Sequence, residues 1–357
     1  IDRSLVGSEM CIRDRVTNQP SETAQLPESR VVPASNSMTP QATPLQYVYC
    51  LGSLCIYFEN DAILDKFMQL LYEFEVERGI TPHGSVSNML DLSRFILDGN
   101  NSEWLEHLTF TINSGNTPIY ALQPTGVNAN NAYFILSQFL YAGIAQKTRK
   151  DAFNTFSNNP KDIKEFNEKS IDWVAVAGTI VGEKHLYNGT LVPVVSVTLS
   201  GLFGWDIESL TSAATNAFLE KKELAEKEKS NLTALLSQKM PEFLQKVYYE
   251  FTNVGISEEH RAINYAGSCL FGMAQSFSDI YCSHNDPDSE NYELGKILVE
   301  DSKVQRPGGI LKDVVLNFFV PRDLQQAELS YRMTIDVGHI HPVVVGGEPT
   351  KWFSHRN

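Results

Sequence analysis

Apolar residues recur with a regular period from Tyr47 onward and show none before it. Residues 47–58, YVYCLGSLCIYF, are a β-branched and aromatic run that predicts a strand, with Gly52 a bulge or a point of close approach. Helical spacing follows, because Ile63, Leu64, Phe67, Met68, Leu71 and Phe74 share one face of a helix that Asp61 can cap and Gly79 can end. Residues 80–108 predict only short helices. Leu108–Ile112 and Pro118–Gln123 predict two paired strands around Ser114-Gly115-Asn116. Asn128 or Asn130 then opens a helix running to about Ile144, with Tyr133, Leu136, Phe139 and Leu140 inward. Residues 147–169 lose the period and are expected to form a polar surface insertion. Trp173–Val181 and the following HLYNGTLVPVVSV predict a hairpin that turns at Asn188-Gly189, where both residues tolerate positive φ. Asp206 caps a further helix, and its continuation, LEKKELAEKEK, is charged on every side and predicts a solvated helix or helical linker.

The stretch 241–281 carries the densest pattern and predicts two helices joined by a tight turn. Phe243, Leu244, Val247, Tyr248 and Phe251 form the stripe of the first, which Pro241 can open and Gly255 can stop in the left-handed region. Ser257 caps the second, and Glu258 and Glu259 occupy the first turn, where the helix dipole favours negative charge. Ile263, Gly267, Leu270, Ala274, Phe277 and Tyr281 give its expected buried face, leaving Arg261, Asn264, Tyr265, Ser268, Gln275 and Asp279 on other sides. Beyond it, residues 310–320 and 325–337 predict a hairpin across Pro321-Arg322-Asp323. Leu329, Tyr331, Met333, Ile335 and Val337 alternate there with Ser330, Arg332, Thr334 and Asp336, the mark of an antiparallel sheet with one wet face. Helices and hairpins without a βαβ rhythm indicate an α+β fold, with antiparallel sheets and hairpins packed around the central helical hairpin.

Composition narrows the function classes. The chain has 357 residues, 42% of them hydrophobic, enough for one large domain or two modest ones. A net charge of −14 argues against nucleic acid, whose binding needs a basic face. No apolar run approaches the ~18 residues of a membrane span. Five cysteines in so long a chain make no disulfide framework, and a reduced, cytoplasmic protein is expected. Residues 1–15, IDRSLVGSEMCIRDR, lack any period and resemble translated sequencing-adapter read-through, so they and Cys11 are set apart from the fold. Residues 16–45 are rich in Pro, Ser, Thr, Gln and Asn and are expected to be a disordered linker from a further, upstream domain. The folded domain is expected over residues 46–353, with insertions near 147–169 and 219–239.

Several blocks together resemble one family. YVYCLGSLCIYF, TPIYALQP at 117–124, AGTIVGEKHLYNGTLVPVVSVTLSGLFGWDIESL, VYYEFTNVGISEEHRAINYAGSCLF and YRMTIDVGHIHPVVVGGEPTKWF are similar in order and spacing to the C-terminal domain of cyanobactin maturation proteases of the PatA/PatG type. In that family the domain follows a subtilisin-like protease domain, and the assembly tailors ribosomal precursor peptides into macrocycles. The chemistry belongs to the protease, and the C-terminal domain has no assigned reaction. The resemblance thus implies a context for this chain, with a precursor peptide, a subtilisin-like protease domain or a second copy of itself as partners, and no cofactor.

No catalytic constellation is complete in the sequence. A subtilisin-type site needs an Asp, a His in an HGT-like turn and a Ser opening a helix. Pro82-His83-Gly84-Ser85 has a flavour of the second part, but no GTSMA-like run follows it, and SNSMTP lies ahead of it in the linker. His339 and His341, two apart, would share one face of a strand and supply two metal ligands where at least three are needed; otherwise they are edge histidines. Cys50 and Cys55 fall on opposite faces of a regular strand and suit a core better than a metal. Cys282-Ser283-His284 sets a thiol near an imidazole, but nucleophile and base are usually assembled across the fold. Arg261, Asn264 and Tyr265 share one helical segment. They either offer donors to a peptide carboxylate or carbonyl, or bind the turn after Gly255 and tie the hairpin to the sheet. Two function classes follow: a non-catalytic interaction module, or an unrecognised, metal-assisted enzyme of the same peptide-tailoring pathway. Convergent titratable residues in an apolar pocket mark the enzyme, and an exposed apolar patch or open sheet edge marks the module.

Overall fold

Alternation along the first strand, β1 (Tyr47–Phe58), sends Val48 and Cys50 into one hydrophobic core and Tyr49 and Leu51 into another. The computed structural model describes residues 45–82, 89–155, 171–220, 249, 253–269, 292–321 and 327–354. Gln46–Asn357 form one compact unit. After β1 come β2 (Leu108–Ser114), β3 (Thr117–Pro124), β4 (Trp173–His185) and β5 (Leu191–Trp205). These five close into a barrel in the order β1-β2-β3-β5-β4. β1 serves both sides of the closure, pairing with β4 through Tyr47–Gly52 and with β2 through Ser53–Phe58. The exchange of partners happens at Gly52, where a Cβ would lie 2.4 Å from the backbone oxygen of Asn113. Gly52 is therefore the point of close approach, as its place in the strand suggests.

The predicted hairpins are present, and Gly189 turns the second with φ 83°. The pairing of β3 with β5 is parallel, unlike the antiparallel pairing expected throughout. Parallel strands need a long crossover. The 27-residue helix between β3 and β4 supplies it (Ala129–Thr155, below α3), running past the expected end into the stretch read as an insertion. Helices α1 (Asp61–Glu77), α2 (Met89–Leu97) and a 3-10 segment (Gly99–His107) fill the connection from β1 to β2. The cap of α1 is Asn60, one residue before Asp61; its Oδ1 accepts from the Ile63 N–H at 3.0 Å. Phe67 and Leu71 of α1, Phe95 of α2 and Leu136 of α3 join Val48, Cys50, Phe110, Ile112 and Val195 in the barrel core. Each such apolar side chain contributes about 1.5–3 kcal/mol on burial.

A second layer stands beside the barrel. α4 (Ile207–Glu220) starts at Asp206, whose Oδ1 accepts from the Ser209 N–H at 2.7 Å. α5 (Glu258–Cys269) precedes an antiparallel sheet of β6 (Glu293–Asp301), β7 (Leu311–Phe319), β8 (Glu328–Asp336) and β9 (Val343–Ser354), in that order. β7 and β8 are the hairpin expected at 310–337, and Arg322 and Asp323 of its turn lie outside the described residues. Leu329, Tyr331, Met333, Ile335 and Val337 are buried as their alternation predicts. The opposite face is not simply wet. Ser330 and Asp336 are buried too, Ser330 donating to Asn317 Oδ1 at 2.8 Å and Asp336 accepting from the Gly338 and Ile310 N–H groups. The second core joins this sheet to α4, α5 and the outward residues Tyr49, Leu51, Ala175 and Ala177 of the barrel. Of the expected helical pair, α5 is described and lies between the two sheets; residues 241–248, 250–252 and 270–281 lie outside the described residues.

Candidate functional site

α5 meets the barrel at the first half of β1, and its local sequence sets the geometry. Gly255 adopts φ 67° and Ser257 caps the helix, its Oγ accepting from the His260 N–H at 3.1 Å. The turn is bound to the barrel by its backbone. The Tyr49 N–H donates to the Gly255 carbonyl at 3.0 Å, and the Tyr120 hydroxyl donates to the Val254 carbonyl at 2.5 Å. The turn thus occupies the edge of β1 opposite β4, short of where β2 begins.

The buried side of α5 is not the one its apolar residues predict. Ala262 and Ala266 are buried, but so are Arg261, Asn264 and Ser268, which the spacing places on other sides, while Ile263 is only half-buried. Polar residues are inside because β1 presents backbone groups that need partners. Asn264 Nδ2 donates to the Tyr49 carbonyl at 2.8 Å and to the Asn253 carbonyl at 3.3 Å. Ser268 donates to the Tyr265 carbonyl at 2.8 Å. Its single proton is thereby engaged, so the Tyr49 hydroxyl is the donor in the 2.7 Å bond to Ser268 Oγ. Tyr265 packs edge-on against Tyr49, with ring centroids 5.3 Å apart. Burial pushes the Tyr265 hydroxyl up to about 12, with the neighbouring Cys269 adding to the shift, and burial likewise raises the Cys269 thiol. Neither group is primed for proton transfer or attack.

Arg261 stands apart from its neighbours on α5. Its guanidinium lies over the Tyr47 ring, 5.5 Å from the centroid, and the residue is 5% exposed. Nε and Nη1 are buried and have no hydrogen-bond partner among the described residues, and the same holds for Asn264 Oδ1 and His260 Nδ1. Burial weakens its hold on the proton, against the opposing pull of Glu258. Across the helix N-terminus a second cation is handled differently. Lys312 Nζ donates to Glu259 at 3.0 Å and Asp301 at 2.8 Å, and Glu258 is 3.1 Å away. Burial lowers the Lys312 pKa, but the three carboxylates outweigh it and raise it overall. Glu259 falls to about 2, held there by its own backbone N–H, then by Lys312 and Ser257.

The other candidates do not converge on this place. His339 and His341 are exposed and sit in the bend between β8 and β9, not on a strand; Gly338 and Pro342 bracket them. Among the described residues no group of three or more His, Cys, Asp or Glu side chains is placed to hold a metal. Cys50 is buried in the barrel and Cys55 is half-buried. His83, Cys282 and His284 lie outside the described residues. Sequence reasoning found Arg261, Asn264 and Tyr265 but missed Tyr47, Tyr49 and Lys312. Two tyrosines at i and i+2 on a strand signal one shared face, and that face is the one α5 covers.

Residues 228–351 match the model of a family described as PatG C-terminal, a span that takes in α5 and β6–β8. None of the curated proteins matches. A solved structure described as "PatG Domain of Unknown Function" shares the fold with a TM-score of 0.64 and 26% sequence identity, over 86% of this chain and 99% of that one. The likeness extends from the matched sheet through most of the chain, which therefore contains a PatG C-terminal domain.

Proposed function

We propose that this domain is a non-catalytic interaction module of ribosomal-peptide maturation, which docks a precursor peptide or a subtilisin-like protease domain in the cytoplasm. The observation that carries the reading is Arg261, a buried guanidinium whose Nε and Nη1 have no partner among the described residues. Leaving such a group unpaired is costly, whereas a docked acceptor satisfies it. The nearby thiol and phenol have raised pKa values, which suits contact rather than nucleophilic or acid–base chemistry. The net charge of −14 steers basic segments toward the domain and nucleic acid away. A second copy of the protein is a further partner, tested by sedimentation of the protein alone over a concentration series.

The experiment titrates the 357-residue chain with a cyanobactin-type precursor and, separately, with a matching protease domain, by calorimetry and mass spectrometry. Saturable binding near micromolar, roughly 8 kcal/mol, with no change in peptide mass is the expected result. A mass change that tracks this protein, and disappears on chelation or Cys→Ala substitution, would refute the reading in favour of an enzyme.

A further inference from the structure

Along β1 the backbone groups of successive residues alternate between the two edges of the strand. Gln46 faces β4, since its carbonyl accepts from the Ile180 N–H at 3.0 Å. Tyr49 faces the other way, toward the Gly255 carbonyl and the Asn264 amide. Tyr47 has the same parity as Tyr49, so its N–H and carbonyl also face away from β4. β2 is not there to meet them, because its pairing with β1 starts at Ser53. The turn that serves Tyr49 reaches no further along the strand among the described bonds. Tyr47 is half-buried and so in part open to solvent. Over its ring lies Arg261, whose Nε and Nη1 have no hydrogen-bond partner among the described residues.

We infer that the edge of β1 at Tyr47, with Arg261, is a binding site for an extended peptide segment that carries a carboxylate. The peptide backbone continues the edge pairing at Tyr47, and its carboxylate accepts from Arg261. An inorganic anion would answer Arg261 but leave the Tyr47 N–H and carbonyl unmet, which is why a peptide is the class that fits. The carboxylate is either the α-carboxylate at the end of the peptide or an Asp or Glu side chain, and both present the same two oxygens. This inference rests on the interaction-module reading and specifies its site.

The test uses the 357-residue chain and fluorescein-labelled hexapeptides of extended, β-branched sequence, read by anisotropy. Four peptides differ only in a free or amidated C-terminus and in an interior Glu or Gln, and a fifth carries one N-methylated peptide bond. Binding by at least one carboxylate form, weakened about tenfold or more when that carboxylate is removed, is expected. Which removal matters assigns the source, terminal or side-chain. N-methylation at the paired residue should weaken binding similarly, and Arg261→Gln should erase the preference for the carboxylate. Arg261→Lys keeps the charge without the fork and should retain only part of it. Equal binding of acid, amide, Glu and Gln forms to the wild-type protein would overturn the inference, and this needs no variant to fold. Precursor binding that is unchanged in folded Arg261→Gln would also overturn it while leaving the interaction-module reading standing. Carboxylate peptides that bind through Arg261 while neither precursor nor protease domain binds would support the site and remove that reading.

Discussion

Replacing Gly255 by Ala should be the most damaging single-methyl change at the junction between α5 and the barrel. The native φ of 67° costs a non-glycine residue about 1–2 kcal/mol by itself. The added Cβ would stand 2.0 Å from the Tyr49 carbonyl oxygen and 3.0 Å from Asn264 Nδ2, so the turn must move off β1. Moving it breaks the Tyr49 N–H bond to the Gly255 carbonyl and loosens the Asn264 bond to Tyr49. A buried N–H left unsatisfied costs about 1–3 kcal/mol, so the total is about 2–5 kcal/mol against a typical stability of about 5–15. Gly189→Ala is the matched control: it has φ 83° but nothing within 4 Å of the added carbon, and should lose only the conformational cost. Urea midpoints of the two variants, followed by tryptophan fluorescence and far-UV circular dichroism, measure the difference. If Gly255→Ala falls within about 1 kcal/mol of Gly189→Ala, the turn does not hold α5 to β1, and the account of the junction is wrong.

Two further outcomes follow from the same geometry. Gly52→Ala should lower stability by about 3 kcal/mol or more, since its Cβ would meet the Asn113 backbone oxygen at 2.4 Å in the barrel wall, and a urea midpoint near wild type would contradict this. Glu259, with its folded pKa lowered from 4.5 to about 2, contributes stability that is present above about pH 4.5 and lost as pH falls toward 2. Glu259→Gln should therefore flatten the fall in thermal midpoint across that window and change little in the pH dependence above it.

Periodicity located most of the elements because the apolar face of each packs on one of the two cores. Phe67, Leu71 and Phe74 of α1 and the alternating residues of β8 are of this kind. The parallel β3–β5 pair was not legible, since a strand's own pattern does not say which neighbour it takes, and α3 decides that by carrying the backbone across the barrel. β6 and β9 went unassigned for a different reason. Both are edge strands: in β6 exposed charge such as Glu293, Glu300 and Asp301 brackets the apolar residues, and in β9 Gly346 with φ 99° interrupts the pattern. At the candidate site, the polar character of Arg261, Asn264 and Ser268 argued for an outward face. Their burial comes from the unpaired edge of β1, a feature of the assembled barrel that no local pattern encodes. The histidine pair failed as strand neighbours because the backbone bends at Gly338 before reaching β9.

Two buried cations flank the N-terminal half of α5, and their surroundings separate a structural role from a recognition role. Lys312, 7% exposed, has three carboxylates within 3.1 Å, so its charge is answered inside the domain. Arg261, 5% exposed, has an aromatic ring and, among the described residues, no hydrogen-bond partner at Nε or Nη1. Substituting each by Met keeps the aliphatic volume and removes the charge. Lys312→Met abolishes the contacts that tie Glu258 and Glu259 of α5 to Asp301 of β6 and leaves three carboxylates to repel one another. Those carboxylates are about half or more exposed and rehydrate, so a loss of about 1–2 kcal/mol is expected. Arg261→Met removes a buried charge that the isolated fold does not pair, forfeiting a cation–π contact worth about 0.5–2 kcal/mol while relieving a desolvation cost of several. Its thermal midpoint, measured without peptide, should therefore equal or exceed that of the wild type, whereas Lys312→Met should fall below it. Were Arg261→Met the more destabilised of the two, the guanidinium would be a structural pin, and its unpaired nitrogens would no longer argue for a ligand.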